Sequence, residues 1–449
     1  MRYRELGKTG LEASIVGLGT FEIGGSSWWD PVDQQVAVST IRMAADLGVN
    51  FIDTAPVYGF GNSERIVGLA IKGMRDKFII CTKVGEEFSG HNEGRFHYNH
   101  DGKRVYTCLT RSSIIRQLDE TLKNLCTDYI DIYMPHFFYD DPLVGRIDEV
   151  METMDLLIEQ GKIRSVGLSN ISLEHLCRFS ELGSASIACV QIYTNVLDHS
   201  LVDAKFFDFM LDNCISGVGI NCLAKGLLSG AFPNDFVVRE GTERSESAWF
   251  YGDRIGQVNN MLAGWFPLRE RYSASYASLS LAWVLAQRGV SHLLTGVTNP
   301  SQLKEAVGSS NILLQADELQ GMAQDALSLR AISIEIQLEE ASIQIRAIAN
   351  SRAPVAVWGA GVTLDYLCRR LPIADCNIVR VYDSNPSLNG QIRLDQPVSA
   401  LKGNSADDDQ TTLIVAIPKD PVELDLILRK LNLTYRTVVH LGHLKALCK

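Results

Sequence analysis

The sequence predicts an α/β protein in which a (β/α)8 barrel of the TIM type is followed by a small Rossmann-like α/β domain. Short apolar runs alternate with amphipathic helical segments eight times over about 310 residues, within the usual length of such a barrel. Ionisable residues recur at the ends of the apolar runs, where parallel α/β folds place their active groups. The pattern changes after Asp317. We therefore expect a barrel over 1–325, a helical connector over 326–352 and a second domain over 353–449.

A short hairpin is expected before the repeat begins. Residues 3–18 alternate around Gly7, Thr9 and Gly10, which predicts two short strands joined by a turn. The repeat of strand, loop and helix then runs to residue 308. The predicted pairs of strand and helix are 14–19 and 33–47, 50–53 and 62–74, 77–82 and 111–124, 128–134 and 146–160, 164–168 and 172–182, 187–192 and 203–213, 216–220 and 272–286, and 291–295 and 300–308.

Two long loops interrupt this rhythm, and both follow the carboxyl end of a predicted strand. Loops of such length in a compact domain are usually functional, so we expect them to act as lids. Residues 84–110 contain His91, His97, Tyr98 and His100, whose irregular spacing without a nearby cysteine favours substrate-facing or solvated histidines over a metal site. Residues 223–270 are rich in aromatic side chains, namely Trp249, Phe250, Tyr251, Trp265 and Phe266.

The predicted second domain begins at Pro354, after a helical run over 318–350. An apolar strand over 355–358 leads into the tight turn Gly359–Gly361, a helix over 362–371 and a strand that ends at Asp383. An acidic residue at that distance from a glycine turn can hold a ribose hydroxyl. A strand over 412–416, a helix over 421–431 and a strand over 437–441 complete the unit. Two roles stay open: binding a nucleotide or nucleotide sugar, or serving as a packing or oligomerisation module.

Bulk composition narrows the class of protein. The 449 residues are 46% hydrophobic and 21% charged, which is ordinary for a folded protein. A net charge of −11 without a basic run argues against nucleic acid as a partner. The N-terminus lacks an apolar leader segment and no stretch is long enough to span a membrane, so we expect a cytoplasmic protein with no membrane partner. The ten scattered cysteines predict reduced core thiols and no metal site.

Four ionisable residues at successive strand ends predict a catalytic site. They are Asp53, Tyr58 in the same loop, Lys83 and His136. A close ammonium favours a phenolate, so Lys83 is expected to lower the pKa of Tyr58 while Asp53 holds Lys83 charged. His136 would donate to the substrate oxygen while Tyr58 exchanges a proton between a carbonyl and an alcohol. No side chain carries a hydride, so a nicotinamide cofactor is implied.

Six motifs give the chain a family resemblance over residues 1 to about 325. In chain order they are LGKTGLEASIVGLGT, NFIDTAPVYGFGNSE, CTKVG, LDETLKNLCTDYIDIYMPH, IEQGKIRSVGLSN and GVTNPSQLKEAV. Together they resemble the aldo-keto reductase family. The resemblance implies a barrel that binds NAD or NADP across its C-terminal mouth, without the GxGxxG mode. It also matches Asp53, Tyr58, Lys83 and His136 to the family's catalytic four, with Tyr58 as general acid/base.

The resemblance also implies a set of cofactor contacts. Gly19, Thr20, Asp53, Ser169, Asn170 and Gln191 match the residues around the nicotinamide ribose and carboxamide. Residues Leu223, Gly226 and Leu228, with Gly296, Val297, Thr298, Gln302 and Glu305, match the pyrophosphate and adenosine loops.

This sequence departs from the family pattern at three of these places. Many relatives have a cation at the position of Thr298, so NAD is slightly favoured over NADP. Ala306 follows Glu305, at a position where relatives often have an Asn, and this replacement weakens one adenine contact. The aromatic residue that often stacks on the nicotinamide from strand seven is missing.

The expected substrate is a sugar or other polyol. Trp28 and Trp29 lie in the loop after the first predicted barrel strand, and such rings either wall a carbonyl pocket or pack the loop. They would bind the substrate together with Tyr58 and His136. The predicted protein is therefore an oxidoreductase of the alcohol dehydrogenase type in carbohydrate metabolism, acting on a sugar or, more narrowly, a nucleotide-linked sugar. The alternative is a cofactor-sensing regulatory or binding subunit with little turnover. Oligomeric state stays open.

Overall fold

Eight parallel strands close into a barrel in the computed structural model of this chain. The structure describes residues 1–91, 93–137, 145–182, 187–198, 204–250, 253–352, 354–358, 373–382, 392–399, 412–415 and 437–440. The chain divides into two units, Met1–Leu327 and Ser328–Lys449, close to the predicted end of the barrel.

The elements of the first unit follow the predicted order. Its strands are β1 Tyr3–Glu5, β2 Glu12–Ser14, β3 Val16–Gly19, β4 Phe51–Asp53, β5 Ile79–Val84, β6 Glu86–Glu87, β7 Arg95–His100, β8 Lys103–Thr107, β9 Ile130–Pro135, β10 Ile163–Ser169, β11 Ile187–Tyr193, β12 Ser216–Ile220 and β13 Val290–Gly296. Its helices are α1 Gln34–Asp46, α2 Asn62–Ile71, α3 Arg111–Leu125, α4 Ile147–Glu159, α5 Leu173–Leu182, α6 Ala204–Asp212, α7 Arg254–Gly264, α8 Phe266–Tyr272, α9 Tyr276–Leu285 and α10 Pro300–Ser309, and α11 Ala316–Ser351 follows.

The barrel confirms all eight predicted strands. Its order around the circle is β3, β4, β5, β9, β10, β11, β12 and β13, so every strand pairs with its neighbours in the repeat, in parallel. Helices cover the outside, so the strands are buried on both faces and are almost continuously apolar. Their carboxyl ends meet at one mouth of the barrel, which is where the predicted catalytic residues lie.

The predicted hairpin covers the other end of the barrel. Strands β1 and β2 pair antiparallel, and Leu6, Leu11 and Ala13 join the buried cluster that Phe51 and other barrel side chains form. The Gly7 N–H donates to Ser216 Oγ at the start of β12, over 3.0 Å. The hairpin therefore closes the end that is remote from the predicted site.

The first long loop is more regular than predicted. Strands β6, β8 and β7 form a three-stranded antiparallel sheet, and β7 and β8 are joined by Asp101-Gly102, both with positive φ (45° and 73°). An Asp-Gly pair between two alternating strands is a strong hairpin signal, so this hairpin was predictable from the sequence.

The second long loop also contains regular structure. It includes helices α7 and α8, and Trp265 between them is buried with its Nε1 donating to Asp325 Oδ2 over 2.9 Å. Trp265 is therefore part of the packed fold rather than of a lid. The predicted helix over 272–286 begins later, at Tyr276, because Ser273 adopts a left-handed conformation (φ 48°) and Ser275 caps the new helix.

The second unit contains a mainly parallel sheet. Its strands are β14 Val355–Trp358, β15 Ile378–Tyr382, β16 Ile392–Arg393, β17 Gln396–Ser399, β18 Thr412–Val415 and β19 Thr437–His440, in the order β16, β17, β15, β14, β18, β19. Only β16 is antiparallel to its neighbour among these described strands. Gly359, Gly361 and Asp383, on which the nucleotide-binding hypothesis depends, lie outside the described residues.

The described cysteines only partly match the prediction of core thiols. Eight are free, and Cys81, Cys108, Cys189, Cys222 and Cys376 are buried, but Cys126 and Cys214 are exposed. Both exposed residues have left-handed backbones (φ 51° and 55°), just beyond a helix end. Over the described part of the chain, the helices are too short or too polar to cross a membrane.

Candidate active site

Asp53 and Lys83 form a buried ion pair at the mouth of the barrel. Asp53 ends β4. Lys83 was expected just after its strand, but it lies within β5, which extends two residues beyond the predicted end at residue 82. The Lys83 ammonium donates to both Asp53 oxygens, over 2.8 and 2.7 Å, and to the Thr54 carbonyl over 3.0 Å. Burial alone would lower the pKa of Lys83, but the charge of Asp53 and the nearby Tyr58 together raise it. Lys83 is therefore held charged.

Asp53 is itself held from two sides. Gln191 Nε2 donates to Asp53 Oδ1 over 2.5 Å, and the Thr20 hydroxyl donates to the Asp53 carbonyl over 2.8 Å. Thr20 is fully buried, and its hydroxyl also lies 2.7 Å from Ser63 Oγ. Buried polar groups are stabilised by hydrogen bonds, so Gln191 helps to fix the carboxylate that orients Lys83, while Thr20 fixes the Asp53 backbone.

Two glycines position the loop that carries Tyr58. Gly59 has φ +60°, and a side-chain carbon there would lie 1.8 Å from the Gly24 carbonyl oxygen. Only a residue without Cβ allows this approach and this backbone conformation. The loop after β4 therefore packs directly on the loop after β3, which fixes the backbone beside Tyr58.

The pKa of Tyr58 differs from the sequence-based expectation. Burial raises it, while the charge of Lys83 and a hydrogen bond from it lower it by less. Lys83 Nζ lies 4.9 Å from the centroid of the phenol ring. The expectation of a net lowered pKa is wrong for this structure, because desolvation of the phenolate outweighs the ammonium. The phenol therefore carries its proton at neutral pH.

His136 follows β9 and faces a buried carboxylate. Its backbone N–H donates to the Val84 carbonyl over 2.9 Å, and its carbonyl accepts from Asn170 Nδ2 over 3.0 Å. The His136 Nδ1 atom contacts Glu86 Oε2, while Glu86 Oε1 accepts from the Tyr98 hydroxyl over 2.9 Å. The His136 and Tyr58 rings lie edge to face with centroids 6.0 Å apart.

An aromatic wall stands beside Tyr58. Trp28 stacks on His100 with ring centroids 3.6 Å apart, and lies 5.7 Å from Tyr98. Phe21 contacts both Trp28 (5.9 Å) and Tyr58 (5.1 Å). Ser27 Oγ donates to Asp101 Oδ1 over 2.5 Å, so the loop after β3 is tied to the β7–β8 hairpin. We define these rings of Phe21, Trp28, Tyr98 and His100 as the aromatic wall.

A cavity of about 190 Å³ extends from the mouth along the ends of β12 and β13. Gln302, Thr298 and Glu305 line it together with the backbone of Gly296 and Gly226. It also contains two cations: Lys225, paired with Glu243 over 2.8 Å, and Arg244, which lies 4.1 Å above the Trp29 ring. Cations, amides and glycine-rich backbone form a donor set that suits a pyrophosphate, so the residues present fit a dinucleotide.

Glu22 is a second acidic residue in the lining of this cavity. Its carboxyl packs against Gly296. A side-chain carbon added to that glycine would lie 1.8 Å from Glu22 Oε1. Burial, with smaller contributions from the charges of Asp53 and Glu243, raises its pKa to about 7 although Arg244 opposes the increase. The carboxyl can therefore be neutral in the physiological range.

Most of the predicted site residues gather in these two places. Asp53, Lys83, Tyr58 and His136 share the mouth with Gln191, Ser169 and Asn170, and Ser169 Oγ lies 3.1 Å from Asn170 Nδ2. Gly19 pairs with both Asp53 and Gly296 and so lies between the mouth and the cavity. The cavity lining contains Leu223, Gly226, Gly296, Val297, Thr298, Gln302, Glu305 and also Trp29.

Three predicted contacts have surroundings other than those expected. Trp29 lines the cavity beneath Arg244, whereas Trp28 belongs to the aromatic wall. Leu228 is fully buried and is not part of the cavity lining, and the hydroxyl of Thr20 faces the protein network behind Asp53.

Several residues of the site were not predicted from the sequence. Glu86 comes directly after the CTKVG motif, and Glu22 lies three residues after Gly19, so both were near recognised motifs. Lys225 lies inside the quoted LAKGLL stretch. Tyr193 ends β11 two residues after Gln191, hence on the same face, and is 51% exposed. Arg244 had no local signal.

Comparison with known sequences gives one family over the first unit. A sequence model described as the Aldo/keto reductase family matches residues 15–324. The "NADH-specific methylglyoxal reductase" of Escherichia coli (strain K12) is 34% identical over 316 residues, which are 70% of this chain and 95% of that protein. The "Aldo-keto reductase YhdN" of Bacillus subtilis (strain 168) is 35% identical over 307 residues, 68% of this chain and 87% of that protein.

A solved structure gives the same result for the fold. The glycerol dehydrogenase AKR11B4 from Gluconobacter oxydans superposes with a TM-score of 0.63 and 29% sequence identity. The match covers 73% of this chain and 94% of that one.

Proposed function

Because the chain belongs to the aldo/keto reductase family, we propose that it is an NAD(P)-dependent oxidoreductase that interconverts a carbonyl and an alcohol. The observation that carries this proposal is the meeting of four groups at one mouth: the Asp53–Lys83 pair at 2.7 Å, the protonated phenol of Tyr58, and His136. These groups can hold a substrate oxygen and move a proton at it.

Each of the four groups has a separate role in the proposal. Tyr58 gives a proton to the carbonyl oxygen during reduction and takes it back during oxidation. Lys83 stabilises the phenolate that remains, because it is held charged by Asp53. His136 donates a hydrogen bond to the same oxygen. The nicotinamide cofactor, when bound, supplies or accepts the hydride.

We propose that the cavity binds the adenosine and pyrophosphate part of this cofactor, with a preference for NAD over NADP. The residue at the position where many relatives have a cation is Thr298, which carries no charge. Its N–H and hydroxyl both donate to Gln302 Oε1, over 2.8 and 3.0 Å. Glu305 lines the same region, and Arg244 is already paired with Asp30 over 3.3 Å. An additional phosphate at the 2′ position would lie near the Glu305 carboxylate, while the two cations among the described lining residues, Lys225 and Arg244, are already paired with carboxylates. Tyr193 is our candidate for the ring that stacks on the nicotinamide.

The proposed substrate is a small, oxygen-rich carbonyl compound or polyol, in keeping with the sugar predicted from the sequence. The names of two relatives, a methylglyoxal reductase and a glycerol dehydrogenase, point to small polar substrates. The aromatic wall offers a ring face, while His100 adds a polar group next to it. A nucleotide-linked sugar is the narrower proposal. It depends on the second unit being a Rossmann-like domain that binds the nucleotide.

The test of the proposed function is a substrate survey with the whole chain. NADH or NADPH consumption would be followed with methylglyoxal, dihydroxyacetone and aldoses, and NAD reduction with glycerol and sugars. Turnover with polar carbonyls but not lipophilic ketones is expected. Tight cofactor binding without turnover of any of them would favour the alternative, a cofactor-sensing subunit. Binding of UDP-glucose, measured by calorimetry, would test the second unit, and its absence would remove the nucleotide-sugar proposal.

A further inference from the structure

A buried acid stands directly behind the proposed hydrogen-bond donor. Glu86 is 5% exposed, and a carboxylate is rarely buried unless it is paired. One of its oxygens contacts His136 Nδ1 and the other accepts from the Tyr98 hydroxyl. Both partners come from other segments of the chain, since His136 directly follows β9 and Tyr98 lies in β7. The short strand β6 therefore brings a charged group to the back of the His136 ring.

The surroundings keep Glu86 ionised. Burial alone would raise the pKa of its carboxyl, but His136, His97 and the hydrogen bond from Tyr98 lower it overall. Burial and the charge of Glu86 raise the pKa of Tyr98, so this phenol stays protonated and acts as the donor. An ionised carboxylate can only accept hydrogen bonds. The nitrogen of His136 that faces it must therefore carry a hydrogen.

This arrangement determines which ring nitrogen of His136 can contact the substrate oxygen. With Nδ1 occupied by Glu86, only Nε2 of His136 is left for the substrate oxygen. A neutral ring with its hydrogen on Nδ1 has an accepting Nε2, which cannot donate to a carbonyl. To donate from Nε2 while Nδ1 faces Glu86, the ring must carry both hydrogens.

We propose that Glu86 is a positioning residue that holds His136 with Nδ1 protonated, so that a charged imidazolium is the donor to the substrate oxygen during carbonyl reduction. This inference rests on the proposed function. During the reaction Tyr58 transfers its proton to the oxygen, whereas His136 keeps both of its hydrogens and stabilises the developing negative charge.

The test compares three variants of the whole chain. Glu86→Gln keeps an acceptor of the same size but removes the charge, and Glu86→Ala removes both. Glu87→Gln is the matched control, because Glu87 is the adjacent buried acid but pairs with Arg116, over 2.8 Å, instead of with His136. We expect Glu86→Gln to lower kcat for carbonyl reduction by about 10- to 100-fold with little change in KM.

A second readout does not need turnover. In the NMR spectrum of the wild type labelled with 15N-histidine, we expect a downfield resonance from the Nδ1–H group of His136. Loss of this resonance in His136→Gln would confirm its assignment. Glu86→Ala should remove that resonance, and Glu87→Gln should keep it. If Glu86→Gln and Glu86→Ala retain wild-type kcat and KM, the positioning role is wrong. If the wild type reduces no carbonyl, the proposed function fails, but a resonance that persists in Glu86→Ala would still overturn the Glu86–His136 arrangement.

Discussion

The Lys83 ammonium lies 2.7 Å from an Asp53 oxygen, and both side chains are buried. All three N–H groups of Lys83 have an acceptor, two on Asp53 and one on the Thr54 carbonyl. The pair is therefore a fixed charge arrangement beneath Tyr58, which neither residue could maintain alone in an apolar barrel.

Removal of Lys83 should destabilise the chain strongly. Lys83→Met leaves Asp53 buried without its counter-charge, which typically costs about 3–5 kcal/mol. Urea unfolding should show a lower midpoint, and Asp53→Leu combined with Lys83→Met should recover part of the loss. Arg111→Met, which removes an exposed partner of Glu152, serves as the control and should move the midpoint little. A midpoint for Lys83→Met equal to that of the control would contradict the buried-pair interpretation.

Tyr58→Phe should abolish turnover and leave cofactor binding nearly intact. The ring keeps its packing against Phe21, but the proton donor is gone, so kcat should decrease by about 10²- to 10⁴-fold. Steady-state rates and tryptophan fluorescence titration with NADH separate the two effects. Tyr129→Phe, at the opposite end of the barrel, is the matched control. Wild-type turnover in Tyr58→Phe would show that another group transfers the proton.

Thr298→Arg should increase the affinity for NADPH relative to NADH. The new guanidinium would face the 2′-phosphate, and a tenfold change in relative Kd corresponds to about 1.4 kcal/mol. Calorimetric titration with both cofactors measures it. Thr298→Gln provides length without charge and should give no gain. An unchanged preference in Thr298→Arg would mean that the 2′-position lies elsewhere in the cavity.

Glu22 should make the stability of the cofactor-free chain depend on pH. Its folded pKa of about 7 is above the unfolded value of 4.5, so the folded state binds more protons between these values. The free energy of unfolding should therefore fall as pH rises through this interval, by up to about 3 kcal/mol for this group. Glu22→Gln should match the wild type near pH 5 and be more stable near pH 8.

The control for this effect is Glu12→Gln, which alters an exposed carboxylate of the hairpin. Urea midpoints at both pH values measure the difference. Equal pH dependence in the wild type and in Glu22→Gln would show that the carboxyl loses its proton at an ordinary pH.

The barrel and its four strand-end residues were predictable because they follow from periodicity. Asp53, Lys83 and His136 each stand at or near the end of an apolar run, and parallel strands in a barrel must bring those ends together. The sign of the pKa change at Tyr58 was not predictable, because it depends on how much burial opposes Lys83, and burial is a property of the packed loops.

Contacts between distant loops explain why Glu86 and Arg244 were not predicted from the sequence. Glu86 meets His136 only because a two-residue strand pairs with β8, and Arg244 reaches Trp29 from more than two hundred residues away in the chain. No local pattern records such contacts. The β7–β8 hairpin is different, since Asp101-Gly102 was a usable signal.

The aromatic wall is made by two segments that contribute none of the four groups proposed for catalysis. Trp28 comes from the loop after β3 and its partner His100 from the β7–β8 hairpin, while Asp53 and Lys83 belong to barrel strands. Loops tolerate substitution and changes in length far better than the strands that support them. Natural selection, or a designer, can therefore exchange Trp28 and His100 to admit a new substrate and keep Asp53, Tyr58, Lys83 and His136 unchanged.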